Sequence, residues 1–266
     1  MTFDSRETST HGGQPVECYR FSLRGQVWLV TSAERDIVLP SGTYTPEVIS
    51  NQGADQTREV AQSTMEITLP GTSPIVAGHR QQVPSGQLGL VLYQAHRGEE
   101  SAAVVRFVGT IASVRFEGAS AILECAPLNA AFSRSIPRTT FQSHCIHALY
   151  GSGCGVSAGA FRDAATLSSV VGNVIQSATF AGRPDGWYSN GWVEGPDGEI
   201  RWVVSHVGNT VTLVTALPGL TAGQSVFAYA GCDRTEATCA AKFSNLANHL
   251  GFPRVPFKNP HGTSIA

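Results

Sequence analysis

The sequence predicts a mainly β protein, with two β-barrel or sandwich domains, a cysteine-rich connector and a C-terminal α-helix. Three patterns carry that prediction. Apolar and polar residues alternate with a period of two in the first 127 residues and again from about residue 166, which is how a strand buries one face. Turn-forming residues separate these stretches. A single run with helical spacing of apolar side chains follows Cys232.

Residues 1–127 read as an N-terminal β domain. Met65, Ile67 and Leu69 alternate with Thr64, Glu66 and Thr68, and Ala121, Leu123 and Cys125 alternate with Ser120, Ile122 and Glu124. The run 103–116 is apolar on both alternations, with Val105, Phe107 and Ile111 on one and Val104, Val108 and Val114 on the other. That predicts a strand covered on both faces, the second cover coming from a neighbouring subunit. Tyr44-Thr45-Pro46, Pro70-Gly71 and the stretch 97–100 supply breaks between strands.

Residues 128–165 change texture, to a short helix over Leu128–Ser133 and then a connector rich in Cys, His and Gly. Residues 166–231 read as a small inserted β-barrel, with tight turns at Asp197-Gly198 and Gly208-Asn209. Within it Val211 and Leu213 alternate with Thr210 and Thr212, and Trp187, Trp192 and Trp202 supply large apolar groups. Residues 232–266 hold the final helix and tail. Asp233 is the predicted N-cap with Glu236 three residues on, and Cys239, Phe243, Leu246, Ala247 and Leu250 share one face before Gly251 and Pro253 stop the helix.

Composition narrows the function. Charged residues make up 14% of the 266, against about 25% in a typical globular domain, so much of the surface is expected to face other subunits. A net charge of −2 with no Lys/Arg run leaves no electrostatic footprint for holding nucleic acid on an outer face. The polar start, Met1 to Thr8, has no apolar core, and no apolar run approaches the ~18 residues of a membrane helix. A chain made in a reducing cytosol, without stable membrane insertion, is the expectation.

The chemistry lies in the six cysteines. Cys18 and Cys125 fall on strand-like stretches and read as core thiols. Cys145 with Cys154 and Cys232 with Cys239 form two distant pairs, C-x8-C and C-x6-C. Soft sulfur donors gathered from separate segments suit a structural metal or an iron–sulfur centre. The gaps are wider than the C-x2-4-C knuckles of zinc, scattered free thiols are the competing reading, and disulfides fit a cytosolic chain poorly. Cys232 and Cys239 straddle the predicted helix start, where the dipole favours thiolates. His144 and His147, beside Cys145, are read as shaping the surroundings of the thiols or replacing one as a ligand.

Other motifs weigh less. Gly155-Val156-Ser157-Ala158-Gly159 matches G-x-S-x-G, but Ser157 would act as a nucleophile only between a buried strand and a helix, and neither is readable. A Cys–His hydrolase would rest on sequence adjacency alone. P-loop, HExxH and dinucleotide fingerprints are missing from the sequence. The set Trp187, Tyr188, Trp192 and Trp202 admits a sugar-stacking platform, with core or interface anchors as the stronger reading.

The stretches 136–154 and 231–253, together with 180–187 and 227–232, resemble a baseplate-hub family of phage tails. That family includes hub proteins of siphophages and gene-transfer agents, and its cysteine pairing is similar to that of the tail-tip protein of lambda-like phages. The resemblance implies that the β domains are tube-like and that Cys145, Cys154, Cys232 and Cys239 hold one [4Fe-4S] cluster, closed by the C-terminal helix, with Zn2+ as the alternative. It further implies a structural, non-enzymatic tail-tip protein of the virion, assembled in the host cytoplasm. Its partners would be two further copies in a homotrimer, the distal tail or tail tube protein, and the central fibre or spike, with DNA only as passing cargo. A zinc-stabilised host-surface or carbohydrate-binding tail module is the second reading and a cysteine or serine hydrolase the third. The insert between the cysteine pairs is larger than in the lambda-like protein. Closing a longer loop adds only ~0.6 kcal/mol per doubling, so the pairs meet if the first and last strands of the insert lie side by side.

Overall fold

A computed structural model of the chain describes residues 3–9, 13–53, 64–80, 82, 84–133 and 141–254. The start of the 136–154 motif and the tail after residue 254 lie outside the described residues. The chain is mainly β and divides into two compact units, Met1–Ser135 and Ile136–Ala266.

The first unit holds α1 (Phe3–Glu7), β1 (Pro15–Leu23), β2 (Gln26–Thr31), β3 (Ile37–Leu39), β4 (Gly42–Pro46), β5 (Ser50–Asn51) and β6 (Met65–Pro70). Next come α2 (Pro74–Ala77), β7 (Gly89–His96), β8 (Val104–Glu117) and β9 (Ser120–Pro127). The described strands form one sheet in the order β3-β4-β2-β1-β7-β8-β9-β6-β5, with β2 and β4 parallel. Strand β1 is buried on both faces: Val16 and Cys18 pack with Ile37, Leu39 and Tyr44, while Tyr19 and Phe21 pack with Ile67, Leu90 and Leu123. The sheet therefore serves two cores. Cys18 and Cys125 are fully buried in them, and burial pushes the Cys125 thiol up to about 12 and raises that of Cys18. Both are packing residues, inert as nucleophiles.

The strand read as apolar on both alternations is β8. Its pairing slips between Leu92 and Tyr93 on one side and between Ile111 and Ser113 on the other. Each extra residue moves the following side chains to the opposite face. Phe107, Ile111, Val114 and Phe116 consequently all reach the core, whereas Val105 and Val108 stay exposed. Two bulges in a strand with one face covered within the unit account for the apolar residues on both alternations.

The second unit holds β10 (Arg162–Thr166), β11 (Ser169–Val171), β12 (Val174–Gln176), β13 (Trp192–Glu194), β14 (Ile200–Val207), β15 (Thr210–Leu213), β16 (Ser225–Tyr229) and α3 (Glu236–Phe243). The sheet order is β10-β16-β13-β14-β15-β12-β11. Its two edge strands, β10 and β11, are consecutive pieces of one segment, so the sheet curls back on itself around Leu167, Ile175, Phe180, Tyr188, Val193, Val203 and Val211. Gly198 and Gly208 sit at φ 76° and 55° in the two tight turns, a region in which a side chain is strained.

Two expectations need correction here. The Cys/Gly-rich stretch is not a connector between domains, since it belongs to the second unit and its Tyr150 hydroxyl donates to Ala230 O at 2.7 Å. The final helix is shorter than its apolar spacing predicts. Thr235, not Asp233, is the N-cap, accepting from Thr238 N at 3.2 Å. Asp233 lies outside the helix and accepts from Thr235 N, Thr235 Oγ1 and Thr238 Oγ1. Ser244 turns left-handed at φ 48° and ends α3, so Leu246 falls in a separate 3-10 turn, Leu246–Asn248.

A polar clamp braces the barrel from its first strand. Arg183 donates two hydrogen bonds to Asp163, at 2.9 and 2.7 Å, and the buried Tyr188 hydroxyl donates a third at 2.7 Å. The Arg183 bonds hold the Asp163 carboxyl below its ordinary range, helped by Tyr188. The stability this group contributes is complete above the ordinary Asp value of ~3.9 and is lost as pH falls through its folded value. Asp163→Asn should lower the stability of the second unit by about 1.5–3 kcal/mol, and its melting temperature should lose the corresponding part of its acid dependence below about pH 5.

Candidate functional site

Strands β10 and β16 pair antiparallel with Arg162 opposite Tyr229, so the segment entering the barrel and the segment leaving it emerge side by side. Cys154 lies on the first and Cys232 on the second. All four cysteines of the two pairs line one cavity of about 660 Å³. The sequence separates the pairs; the barrel rejoins them.

Local backbone geometry places each sulfur. Cys145 N donates to Arg234 O at 2.9 Å, Ile146 N to Leu250 O at 3.2 Å and Phe252 N to Gln142 O at 2.8 Å, a clasp that ties the first cysteine to the chain following α3. Cys154 closes a turn in which its N and that of Gly155 both donate to Gly151 O, with Gly155 at φ 70°. Cys232 Sγ accepts from Arg234 N at 3.3 Å, and Arg234 reaches that position at φ 64°. Cys239 is the fourth residue of α3, and its thiol donates to Asn245 O at 3.4 Å.

The helix itself is held to the barrel by Lys242. Its amine donates to Trp187 O and to Gly231 O, the latter at 2.7 Å, and sits 4.5 Å from the Trp187 ring centre. Burial lowers the lysine to about 8. Tyr150 braces the cysteine loop by edge-on contacts with Trp192 at 5.2 Å and Phe243 at 6.3 Å.

Electrostatics join the thiols further. Burial raises the Cys232 thiol, the Arg234 amide partly offsets this, and Asp233, Cys154 and Cys145 add to the rise. Burial also raises Cys239, with Cys232, Cys145 and Cys154 each contributing. Charge on one sulfur thus opposes charge on the others. A cationic centre shared by all four would reverse the sign of that coupling.

The donor set fits a sulfur-ligated centre. All four sulfurs are free thiols, backbone and side-chain N–H groups approach two of them, and one cavity faces them all. Among the described residues no group of three or more His, Cys, Asp or Glu side chains is placed to hold a metal ion.

His144 is exposed, bonded to Ser143 Oγ, and outside the cavity lining, while His147 lines it. Ser157 precedes a short 3-10 turn, Ala158–Phe161, without the strand-to-helix elbow of a hydrolase nucleophile. Of the aromatic set, Tyr188 is fully buried and Trp187 packs against the core, whereas Trp202 is 56% exposed and reaches the cavity rim. Asn245, Asn248 and His249 also line the cavity. Sequence reasoning missed them, because their spacing after Phe243 reads equally as continued helix.

The family described as baseplate hub protein, N-terminal attachment domain, matches residues 9–157. The family described as phage conserved hypothetical protein BR0599 matches residues 186–259. The first match reaches Cys145 and Cys154 and the second contains Cys232 and Cys239. A chain from the virion of a native gene transfer agent particle has the same fold, with a TM-score of 0.86 at 18% identity over 99% of this chain and 95% of that one. No curated protein matches the sequence.

Gly251 is where the clasp is tightest. A Cβ there would lie 2.8 Å from Ser143 O and 2.9 Å from Cys145 N, both backbone atoms. Gly251→Ala should push the Cys145 segment from the cavity and cost about 1–3 kcal/mol, read as a lower denaturation midpoint and faster alkylation of Cys145.

Proposed function

Because the chain belongs to the family of baseplate hub proteins with an N-terminal attachment domain, we propose that it is the hub of a phage-like tail tip, carrying a [4Fe-4S] cluster on Cys145, Cys154, Cys232 and Cys239. The hub family is a virion family, and the protein is a structural component of a phage or gene-transfer-agent particle. In the proposed role it links the distal tail or tail tube protein to the central fibre or spike. The match over residues 9–157 carries this reading.

The two β units are read as tube-like domains, so that three chains present six of them to a six-fold tube. This step rests on fold analogy. DNA is passing cargo, in keeping with a net charge of −2 and the lack of a basic run. Among the described residues no helix is long and apolar enough to cross a membrane.

The convergence of four free thiols on one cavity supports the cofactor. When bound, such a cluster supplies a sulfur-ligated cross-link between the two cysteine segments and a reducible centre. Cys145 and Cys154 would tie the loop before the barrel, and Cys232 and Cys239 the start of α3. Arg234 N and the Asn245 amide would donate to the sulfurs, while Trp202 and Val214 cover part of the cavity.

Anaerobic purification with iron and sulfide analysis tests the cofactor. The expected result is brown protein with about four irons per chain; colourless protein with stoichiometric zinc would favour the host-surface module. Cys154→Ser and Cys239→Ser should lose the metal and destabilise the second unit, while Cys18→Ser and Cys125→Ser should retain it. Imaging of virion tail tips tests the hub: three copies on the tail axis are expected, and six copies or a peripheral fibre would overturn the assignment.

A further inference from the structure

We infer that Asn245 is the positioning residue of the thiol site, setting the reduction potential and the retention of the centre that Cys154 and Cys239 help to hold. The inference rests on the cluster reading above. Asn245 touches one cysteine from each pair. Its side-chain Nδ2 donates to Cys154 O at 2.7 Å and lies 3.7 Å from Cys154 Sγ. Its backbone N donates to Cys239 O at 3.1 Å, and its backbone O accepts the Cys239 thiol at 3.4 Å.

The direction of the amide follows from its neighbours. Asn248 Nδ2 donates to Asn245 Oδ1 at 2.7 Å, so the oxygen faces Asn248 and the NH2 group faces Cys154. An amide NH2 has two protons; one is used on the Cys154 carbonyl and the other is free for the sulfur. The left-handed Ser244, at φ 48°, ends α3 and swings Asn245 back over Cys239. A helix continuing through this position would carry the amide elsewhere.

The chemistry that this donor serves is specific to a charged sulfur. An N–H bond to a thiolate ligand withdraws electron density, which favours the reduced, more negative state of an iron–sulfur centre and raises its potential. Cys232 receives its N–H from backbone, Arg234 N, which no side-chain change removes. Asn245 supplies a side-chain donor, and it is therefore the position at which substitution retunes the site.

Asn245→Asp is close in shape but replaces the donor with an anionic acceptor. Purified anaerobically with its metal, N245D is expected to show a more negative reduction potential than the unaltered protein and to surrender iron to a chelator with ~10–100-fold weaker retention. Asn248→Ala keeps the donor but frees its orientation and should shift the potential in the same direction by less. Near-ultraviolet circular dichroism of the barrel tryptophans reports whether each variant folds. If N245D does not fold, N248A decides, and a potential unmoved in the folded variant overturns the inference. Unaltered protein without iron sinks the cluster reading; iron-loaded N245D with unchanged potential and retention sinks the role of Asn245 alone.

Discussion

The antiparallel pairing of β10 with β16 is the contact on which the candidate site depends. Two cysteine pairs separated by a whole barrel share a cavity only because the barrel starts and ends at neighbouring strands. Residue separation along the chain then matters little, since loop closure grows only logarithmically with length. The Asp163 clamp on β10 links the core of the second unit to the segment that carries Cys154.

Around the thiols, backbone hydrogen bonds do most of the positioning. The Cys145 clasp, the Gly151–Gly155 turn and the Arg234 amide at Cys232 are all main-chain features. Side chains add the finer adjustments: Tyr150 ties the loop to the barrel, Lys242 ties α3 to it, and Asn245 bridges the two cysteine pairs. A metal centre held by these thiols would use that division, its ligand spacing resting on the backbone and its electronic tuning on groups that approach the sulfur.

The six cysteines also show how environment separates residues of one type. Cys18 and Cys125 are buried in the cores of the first unit, where burial is the main cause that raises their thiols, with Glu100 and Glu17 adding to it at Cys18 and Glu124 at Cys125. Cys232 and Cys239 share a cavity with two more sulfurs and respond to them electrostatically. Alternation in strands was enough to tell the groups apart for Cys125, which takes an inward position in β9, because a period of two maps directly onto one face.

Local periodicity determined the mainly β class, the strands at Met65–Pro70 and Ser120–Pro127, the turns at Gly198 and Gly208, and the separation of core thiols from the paired ones. Those features depend on neighbours two to four residues apart, and a linear reading contains them. The bulges in β8, the left-handed stop at Ser244 and the placement of Asn245 were decided only in three dimensions. A bulge depends on what the partner strand offers, and the helix stop on where the chain must turn to meet Cys154. The pairing that brings the four sulfurs to one cavity is of the same kind: the sequence determined which residues hold thiols, and the pairing of β10 with β16 decided that they line one cavity, because strand partners far apart in sequence are selected by the shared core they bury.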